Sequence, residues 1–448
     1  MNLKSKCEDI KLPDYFKFKL KNNIKLYVIK DSRFPVINAM FVFKNGSLCD
    51  SYYGGNLYGL CSITSDLLLK GTEDFSANDI ANLVESSGSY IYSGCSYDYS
   101  FLTFHSLKKN FEKIFSLTNH IFRKSLFKEE EIERLKLQKI NLIKLNNTYG
   151  EYLSRKIFKK KVYGKSLYAE DSDGTIESLK RIFRNDILKF YNKFFSPNNL
   201  YIFLVGDISE SKAIRLTEKY FTDWEDEKVP TTKILSQNSI KGISIFILPR
   251  KGSVQSNINI GHKGVNQRCP DLLKLKVMNL ILGGTFVSRI NNNLREIQGC
   301  TYCASSNFNT FGYQGDFSVE VSVSNKHVLY TIKEILKELE RIKNDYVSDD
   351  ELDIAKNYFI GNYPLQLETA NDIATKVLKI ELYNLKKNYY NTIISKVYKV
   401  SKKDIYEVSN KYIDTKNLII SIVGPERINI HIFENIGNVE IINNLENY

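Results

Sequence analysis

The chain has 448 residues, of which 43% are hydrophobic and 25% are charged, and its formal net charge is +12. This composition excludes a disordered or fibrous protein and predicts about two to four domains with real cores. The positive charge fits an anionic partner, but the densest basic run, residues 155–161, falls in a helical pattern and is interpreted as a solvated helix face. Because no arginine-rich arm or aromatic RNA-binding signature accompanies it, no nucleic-acid partner is predicted.

The number of cysteines and the length of the apolar segments indicate in which cellular compartment the protein is expected. Seven cysteines are scattered along the chain, which argues against a disulfide framework and favours a reducing environment. Cys300 and Cys303 have the spacing of a redox or metal pair, but they lack a second pair and lie in a strand-like pattern, so they are interpreted as incidental. The first residues lack an apolar core of signal-peptide length, and no window reaches the roughly 18 apolar residues of a membrane span. We therefore expect a cytoplasmic protein without a membrane partner.

The predicted elements form clusters of strands and clusters of helices. Alternating or apolar runs predict three strands near the start, at residues 16–20, 24–29 and 37–43. Helical periodicity follows in four stretches, Leu57–Leu69, Ala77–Ser86, Phe111–Phe122 and Glu129–Leu145. Buried-type strands are predicted at Leu200–Val205 and Leu418–Val423. Clusters of this kind, rather than strict alternation, predict an α+β fold with mainly antiparallel sheets.

An internal repeat spans about half of the chain. Residues 190–207 and 408–425 align without gaps and share Asn, Lys, Asn, Leu, Ile, Val and Gly, and the same shift of 218 residues aligns 36–46 with 254–264. The repeat predicts two homologous halves, residues 1–225 and residues 241–448. The linker is placed at residues 226–240, where charged residues, a proline and paired threonines interrupt the hydrophobic periodicity of both helices and strands.

Two segments carry a family resemblance. One is a helical stretch from Gly59 that ends in Lys70-Gly71-Thr72, and the other is Leu294-Arg295-Glu296 followed by Tyr302, behind the glycine pair Gly283-Gly284. Together with the repeat, they make the chain resemble the pitrilysin/insulinase-type metallopeptidases, the inverted zincins, over nearly its whole length. The resemblance implies two peptidase-like halves, each a mainly antiparallel sheet with helices packed against it.

In that family the N-terminal half has a His-x-x-Glu-His helix with the same Lys-Gly-Thr ending, and a later helix supplies a glutamate as third zinc ligand. Histidines four residues apart share a helix face and can bind one zinc, and the glutamate takes a proton from the zinc-bound water. In this chain Ser62 aligns with the first histidine, Ser65 with the glutamate and Asp66 with the second histidine. The third-ligand position falls at Asn141 or Leu142. With at most one carboxylate left, we expect this half to bind no zinc.

The histidines do not replace the missing ligands, because they are far apart in sequence, at His105, His120, His262, His327 and His431. Each is interpreted as a structural or surface residue. Ser62 and Asp66 have no histidine base near them in sequence, so they are interpreted as a hydrogen-bonded helix face rather than a nucleophile pair.

The C-terminal half matches the family's Arg/Tyr pair at Arg295 and Tyr302. In the family this pair reaches across a clam-shell cavity to the zinc site of the facing half. A guanidinium and a phenol both donate hydrogen bonds, and such donors stabilise a developing oxyanion by about 3 kcal/mol per group. Gly283-Gly284 is interpreted as a hinge that lets the backbone turn sharply. The alternatives are a surface charge beside Glu296 for the arginine and a core-packed strand residue for the tyrosine.

These features predict a complementing subunit of a heterodimeric zinc endopeptidase, inactive alone. This chain would supply Arg295 and Tyr302, and a homologous partner would supply His-x-x-Glu-His, the third ligand and the zinc. The two would enclose a chamber for unfolded peptides, which would bind as an added strand on a sheet edge beside the partner's zinc. Two alternatives need no peptidase partner: a non-catalytic scaffold like the family-related core subunits of respiratory complexes, and a peptide-binding homodimer.

Overall fold

The computed structural model describes residues 11–54, 56–225, 228–230 and 240–443. Within these residues the chain forms two six-stranded sheets, one in each half. The predicted linker at 226–240 lies outside the described residues except for 228–230 and 240.

The first half contains six strands and eight helices among its described residues. The strands are β1 (Phe16–Lys19), β2 (Lys25–Lys30), β3 (Val36–Phe43), β4 (Tyr90–Cys95), β5 (Ser100–Leu107) and β6 (Leu200–Gly206). The helices are α1 (Leu60–Leu67), α2 (Ala77–Glu85), α3 (Phe111–Lys124), α4 (Glu129–Asn146), α5 (Gly150–Tyr163), α6 (Ile176–Arg181), α7 (Arg184–Phe194) and α8 (Glu210–Phe221).

The described part of the second half also combines six strands with helices. The strands are β7 (Ser244–Arg250), β8 (Gln255–Lys263), β9 (Thr301–Thr310), β10 (Gly315–Ser324), β11 (Ile419–Pro425) and β12 (Asn438–Ile441). The helices are α9 (Leu272–Leu282), α10 (Arg289–Asn291), α11 (Val328–Asn344), α12 (Asp349–Asn362), α13 (Ala370–Leu382), α14 (Ile393–Tyr398) and α15 (Lys402–Tyr412). A π-helical turn, Asn292–Ile297, follows α10 directly.

The two sheets have the same topology. Their strand orders are β1-β2-β6-β3-β5-β4 and β12-β7-β11-β8-β10-β9. In each sheet the second and third strands are parallel and the three following pairs are antiparallel. The edges differ, because β1 runs antiparallel to β2 whereas β12 runs parallel to β7. The prediction of two homologous α+β halves with mainly antiparallel sheets is confirmed.

The repeat needs one correction of register. A shift of 218 residues is right for β6 and β11 and would place Ala39 of β3 at Asn257 of β8. Ala39, however, packs in the helix core of its own half, whereas Asn257 lies against the first residue of α5 on the other face of its sheet. The residue equivalent to Ala39 is Ile258, one position later. Successive residues of a strand face opposite sides of the sheet. An alignment of β3 with β8 that is wrong by one residue therefore matches every core-facing side chain with one on the other face.

One helix from each half packs on the sheet of the other half. Helix α5 packs on β8 and β11, and α13 packs on β3 and β6. At the first of these contacts, the Ser421 hydroxyl of β11 donates to the Ser154 carbonyl oxygen of α5 at 2.8 Å. This arrangement corrects the solvated-face interpretation of residues 155–161, because Ile157 and Phe158 are buried and the Lys159 ammonium lies 2.9 Å from Asp171.

The halves are also joined at the turn between β4 and β5. The Asp98 carboxylate accepts hydrogen bonds from the Tyr168 hydroxyl at 3.0 Å, the Tyr383 hydroxyl at 2.8 Å and the Gly312 backbone N–H at 2.9 Å. Gly312 and Tyr383 belong to the second half, so this carboxylate fixes the two sheets to each other. Among the described residues, no helix has the length and apolar character needed to cross a bilayer.

Candidate functional site

Helix α1, which carries the zinc-motif positions, is held firmly at its start. The Asp50 carboxylate accepts hydrogen bonds from the backbone N–H groups of Gly59 at 2.7 Å and Cys61 at 2.8 Å, which caps the helix N-terminus. Gly59 has a φ of 90°, and a Cβ there would lie 2.6 Å from the Asp173 carbonyl oxygen. Glycine is therefore required at this position, and the helix start is pressed against the loop that carries Asp173.

A lysine ammonium occupies the centre of the zinc-motif positions. The Nζ atom of Lys139, on α4, lies 2.7 Å from Asp66 Oδ2 and 2.8 Å from Asp173 Oδ1. It also donates to the Ser62 hydroxyl at 2.9 Å, and that hydroxyl donates to Asp173 at 2.5 Å. The Lys139 side chain is only 11% exposed. Lys139, Asp66, Asp173 and Ser62 form a closed cluster, which we call the lysine-filled site.

The other two motif positions lie elsewhere. Ser65 is fully buried and donates to the Cys61 carbonyl oxygen at 2.8 Å, inside its own helix. Asn141 is exposed, and Leu142 has 52% of its surface in solvent. The structure therefore brings Ser62 and Asp66 together and separates them from Ser65 and Leu142. Sequence reasoning missed Lys139, although it lies one helical turn before Leu142 and faces the same side as a third ligand would.

Local charges keep the lysine protonated. Burial lowers the pKa of Lys139, but the Asp66 and Asp173 carboxylates raise it by more, so this pKa lies above its ordinary value. Burial raises the pKa of Asp173, and Lys139 and Ser62 lower it by more. For Asp66 burial prevails, so its pKa is raised despite the ammonium. A lysine held as a cation cannot accept a proton from Ser62, so the contact between them is not a Ser–Lys nucleophile pair.

The residues of the lysine-filled site do not fit a zinc ion. An ammonium already lies 2.7–2.9 Å from oxygens of Asp66, Asp173 and Ser62, and it would repel a second cation placed among them. A catalytic zinc needs about three protein ligands, usually with histidine nitrogens among them. Throughout the described ranges, no group of three or more His, Cys, Asp or Glu side chains is placed to hold a metal ion.

The glycine pair of the second half serves close packing. A Cβ on Gly283 would lie 2.5 Å from the Ser306 hydroxyl oxygen of β9, and a Cβ on Gly284 would lie 2.8 Å from the Asn279 side-chain nitrogen. Neither glycine has a positive φ. The chain does turn here, and glycine is needed because the turn lies tightly against α9 and β9; the hinge role of the pair stays a prediction.

The turn that carries Arg295 is anchored to the neighbouring helices. Arg289 binds Glu351 of α12 with two hydrogen bonds, Nε to Oε1 at 2.5 Å and Nη2 to Oε2 at 2.9 Å. The Asn293 amide donates to Glu334 of α11 at 2.8 Å. Burial raises the pKa of Glu351, but Arg289 and Ser348 lower it by more, to about 2. The π-helical turn is thus fixed by a nearly buried ion pair at its base, while its outer side is open.

Arg295 and Tyr302 lie side by side, and of the two only Tyr302 is exposed, since the Arg295 side chain is 27% exposed. The Arg295 guanidinium carbon is 3.8 Å from the centroid of the Phe286 ring and 5.7 Å from that of Tyr302. Tyr302 is the second residue of the edge strand β9 and is 88% exposed, so the core-packed alternative for this residue is wrong. Arg295 does lie beside Glu296, with Nη1 3.3 Å from Oε1. We call Phe286, Arg295 and Tyr302 the arginine–tyrosine patch.

The patch offers one exposed hydrogen-bond donor that the fold does not use. The Tyr302 hydroxyl forms no hydrogen bond with the described part of the chain, whereas Arg295 Nη1 is buried and lies 3.3 Å from Glu296 Oε1 without good hydrogen-bonding geometry. Phe286 is 58% exposed beside them. A phenol and a guanidinium presented in this way can bind an oxygen atom that carries negative charge, provided that a second surface brings that atom to them.

Comparisons with known proteins identify relatives of the whole chain. The model of insulinase, peptidase family M16, matches residues 28–171, and the model of the peptidase M16 inactive domain matches residues 181–359. The chain is 24% identical over 400 residues to the non-peptidase homolog YmxG of Helicobacter pylori, covering 85% of this chain and 87% of that protein.

Two solved structures have the same fold. The peptidase M16 inactive domain from Pseudomonas fluorescens has a TM-score of 0.85 and 23% identity, with 92% of this chain and 98% of that chain covered. A protease from Helicobacter pylori also has a TM-score of 0.85, with 18% identity and coverage of 93% and 100%.

Proposed function

This chain belongs to the peptidase M16 (insulinase) family, and we propose that it is the zinc-less subunit of a heterodimeric zinc endopeptidase that cleaves unfolded peptides. A homologous partner supplies His-x-x-Glu-His, the third ligand and the zinc, and Arg295 and Tyr302 face that site. The observation that carries the proposal is a contrast within the chain: Lys139 fills the zinc-motif positions, while the Tyr302 hydroxyl is exposed beside Arg295 and has no partner among the described residues.

In this assembly His-x-x-Glu-His and the third ligand of the partner would hold a zinc ion, which would supply an activated water. Arg295 and Tyr302 donate N–H and O–H hydrogen bonds to the scissile carbonyl oxygen as negative charge develops on it. The Phe286 ring, 3.8 Å from the guanidinium carbon, restricts the arginine side chain before the substrate arrives. Such preorganisation reduces the entropy that the arginine loses in the transition state. The peptide itself is held as an added strand on a sheet edge beside the partner's zinc.

Reconstitution tests the proposal. The purified chain is mixed with a homologous subunit that carries His-x-x-Glu-His, with zinc, and the cleavage of an unfolded fluorogenic peptide is followed. Either subunit alone is expected to be nearly inactive. In the mixture, Arg295→Ala and Tyr302→Phe are each expected to lower kcat about 100-fold, because each removes one donor from the transition state.

The matched control is Arg427→Ala, which removes an exposed arginine that forms no ion pair with the described residues. Its rate should stay within about twofold of the wild-type rate. A partner that is fully active alone, or unchanged rates in both the Arg295→Ala and Tyr302→Phe mixtures, would contradict the proposal.

A non-catalytic scaffold is the second candidate, and the description of the Helicobacter pylori relative as a non-peptidase homolog favours it. A scaffold would bind a homologous partner, as seen by size-exclusion chromatography, without changing the partner's cleavage rate. Rate and complex formation measured on the same mixtures therefore separate the two candidates.

A further inference from the structure

A cavity of about 570 Å³ lies against the π-helical turn of the second half. Residues of α9, α11 and α12 form the rest of its wall. Part of the wall is apolar, and Val287, Ile297 and Ile354 there are each more than half exposed. Exposed apolar side chains around a cavity are typical of a ligand site, because an apolar group that binds there displaces water from them.

The same wall contains a buried cation and a buried anion. The Arg289 side chain is 7% exposed, and the Glu338 side chain is 5% exposed. A buried charged group is costly unless its donors and acceptors are paired. In both residues one polar atom is left without a partner among the described residues.

Arg289 has one side of its guanidinium unused. Its Nε and Nη2 atoms donate to the two carboxylate oxygens of Glu351, whereas Nη1 is buried and donates to no described residue. A guanidinium carries five N–H donors in one plane, and Glu351 occupies only one edge of that plane. The Nη1 side is therefore left for an acceptor, and a carboxylate forms the strongest hydrogen bonds with it.

Glu338 has one carboxylate oxygen unused. Its Oε1 atom accepts a hydrogen bond from the Asn293 side-chain amide at 3.2 Å, whereas Oε2 is buried and accepts none from the described residues. Arg341 Nη1 is 3.6 Å from Oε1, which is too long for a hydrogen bond. Oε2 is therefore left for a donor, and an ammonium is the donor that best matches its charge.

Two long side chains of the cavity wall are held loosely. Lys337 Nζ is 3.5 Å from Glu334, and Arg341 Nη1 is 3.6 Å from Glu338, both longer than an ordinary hydrogen bond. The two side chains are 68% and 52% exposed. Since Arg289 Nη1 and Glu338 Oε2 have almost no contact with water in the free chain, a ligand reaches them when these side chains move outward, which costs little.

The charged residues of the wall balance one another. They are three acids and three bases, Glu334, Glu338, Glu351, Arg289, Lys337 and Arg341. A ligand with only one sign of charge would be attracted by one set and repelled by the other. A ligand that carries one positive and one negative group matches both of the unused atoms.

We propose that this cavity binds a zwitterion with an apolar side chain, either a free amino acid or a dipeptide. The carboxylate of the ligand accepts hydrogen bonds from Arg289 Nη1, and its ammonium donates to Glu338 Oε2. The apolar side chain packs on Val287 and Ile354. The site does not depend on the proposed peptidase function, because neither Arg295 nor Tyr302 lines the cavity.

Calorimetric titration of the full chain at pH 7 tests the site, with L-leucine and L-leucyl-L-leucine as probes. We expect saturable one-site binding of at least one of them, and the tighter of the two shows whether the ligand is an amino acid or a dipeptide. N-acetyl-L-leucine lacks the ammonium and L-leucinamide lacks the carboxylate. Each should bind at least about tenfold more weakly than L-leucine, because one charge-assisted hydrogen bond is lost.

Glu338→Gln keeps the shape of the side chain and removes its charge, so it should weaken binding of the tighter probe at least about tenfold. Val287→Ser changes an exposed side chain that the fold does not need and should weaken binding about fivefold. The matched control is Glu340→Gln, an exposed acid of α11 outside the cavity wall, which should stay within about twofold.

The proposal is overturned if neither probe binds saturably, or if the capped compounds bind as tightly as L-leucine. It is also overturned if Glu340→Gln weakens binding as much as Glu338→Gln. If Glu338→Gln does not fold, as judged by thermal denaturation, Val287→Ser decides, and an unchanged affinity in that variant overturns the proposal.

Discussion

The lysine-filled site and the arginine–tyrosine patch differ in how their polar groups are used. Lys139 is 11% exposed, and its ammonium contacts Asp66, Asp173 and Ser62 within 2.9 Å. Tyr302 is 88% exposed, and its hydroxyl has no hydrogen-bond partner in the described chain. The first arrangement pairs its one cation with both carboxylates inside the chain. The second leaves the Tyr302 hydroxyl for another molecule.

This difference separates structural residues from candidate functional residues in a chain whose relatives are named both as proteases and as non-peptidases. Closed clusters should matter for stability and not for ligands, because their groups are already paired. Open patches should matter for a partner reaction and not for stability. Variants at the two places, measured in the chain alone, therefore test the distinction.

The largest effect on stability is expected for Lys139→Met. The variant leaves Asp66 and Asp173 close together without the ammonium, and Asp66 is mostly buried. We expect the free energy of unfolding, measured by urea denaturation at pH 7, to fall by about 2–4 kcal/mol, less than for a fully buried pair because Asp173 is half-exposed. Lys144→Met, an exposed position on the same helix, is the control and should change it by less than about 0.5 kcal/mol. A loss as small as that of the control would remove the structural role assigned to Lys139.

A smaller, pH-dependent effect is expected for Arg289→Met, which removes the ion pair beneath the Arg295 turn. The folded-state pKa of Glu351 is about 2, below its ordinary value of 4.5, so the pair stabilises the fold above about pH 4.5 and loses this contribution as the pH falls toward 2. At pH 7 we expect a loss of about 2 kcal/mol. The difference between wild type and variant, followed by urea denaturation, should shrink from pH 5 to pH 2.5. A difference that stays constant over that range would mean that the pair does not titrate with folding.

The smallest effect is expected at the patch itself. Tyr302→Phe removes a hydroxyl without a partner in the described chain, and the free energy of unfolding should change by less than about 0.5 kcal/mol. Arg295→Ala removes the stacking on Phe286 and should cost about 0.5–1 kcal/mol. Thermal denaturation of the isolated chain measures both. Losses as large as that of Lys139→Met would assign the patch to the fold rather than to a partner.

The fold was largely predictable from the sequence, because the repeat and the periods of its strands and helices are local signals. Helix α1 is shorter than its apolar period indicated, Leu60–Leu67 instead of Leu57–Leu69, since Asp50 fixes its start from outside the helix. The register of β3 against β8 was missed by one residue. The prediction used one shift of 218 residues for β3/β8 and for β6/β11. The segment between β3 and β6 differs in length by one residue from the segment between β8 and β11, so a single shift cannot align both pairs.

The site was predictable only in part. The missing ligands at Ser62, Ser65 and Asp66 were visible in the aligned helix, but the ammonium that fills the site was not. Lys139 and Asp173 reach Asp66 only through tertiary packing, and a lysine in a helix is ordinarily a surface residue. The signal that could have found Lys139 is its position one turn before Leu142, on the face where the third ligand would lie.

The measurement that tests the central claim most directly is the zinc content of the purified chain after incubation with excess zinc and gel filtration. Because the Lys139 ammonium occupies the space between the oxygens at the zinc-motif positions, the account predicts far less than one zinc per chain, and no change on Asp66→Ala. A chain that retains one zinc per molecule, and releases it in the Asp66→Ala variant, would contradict the account.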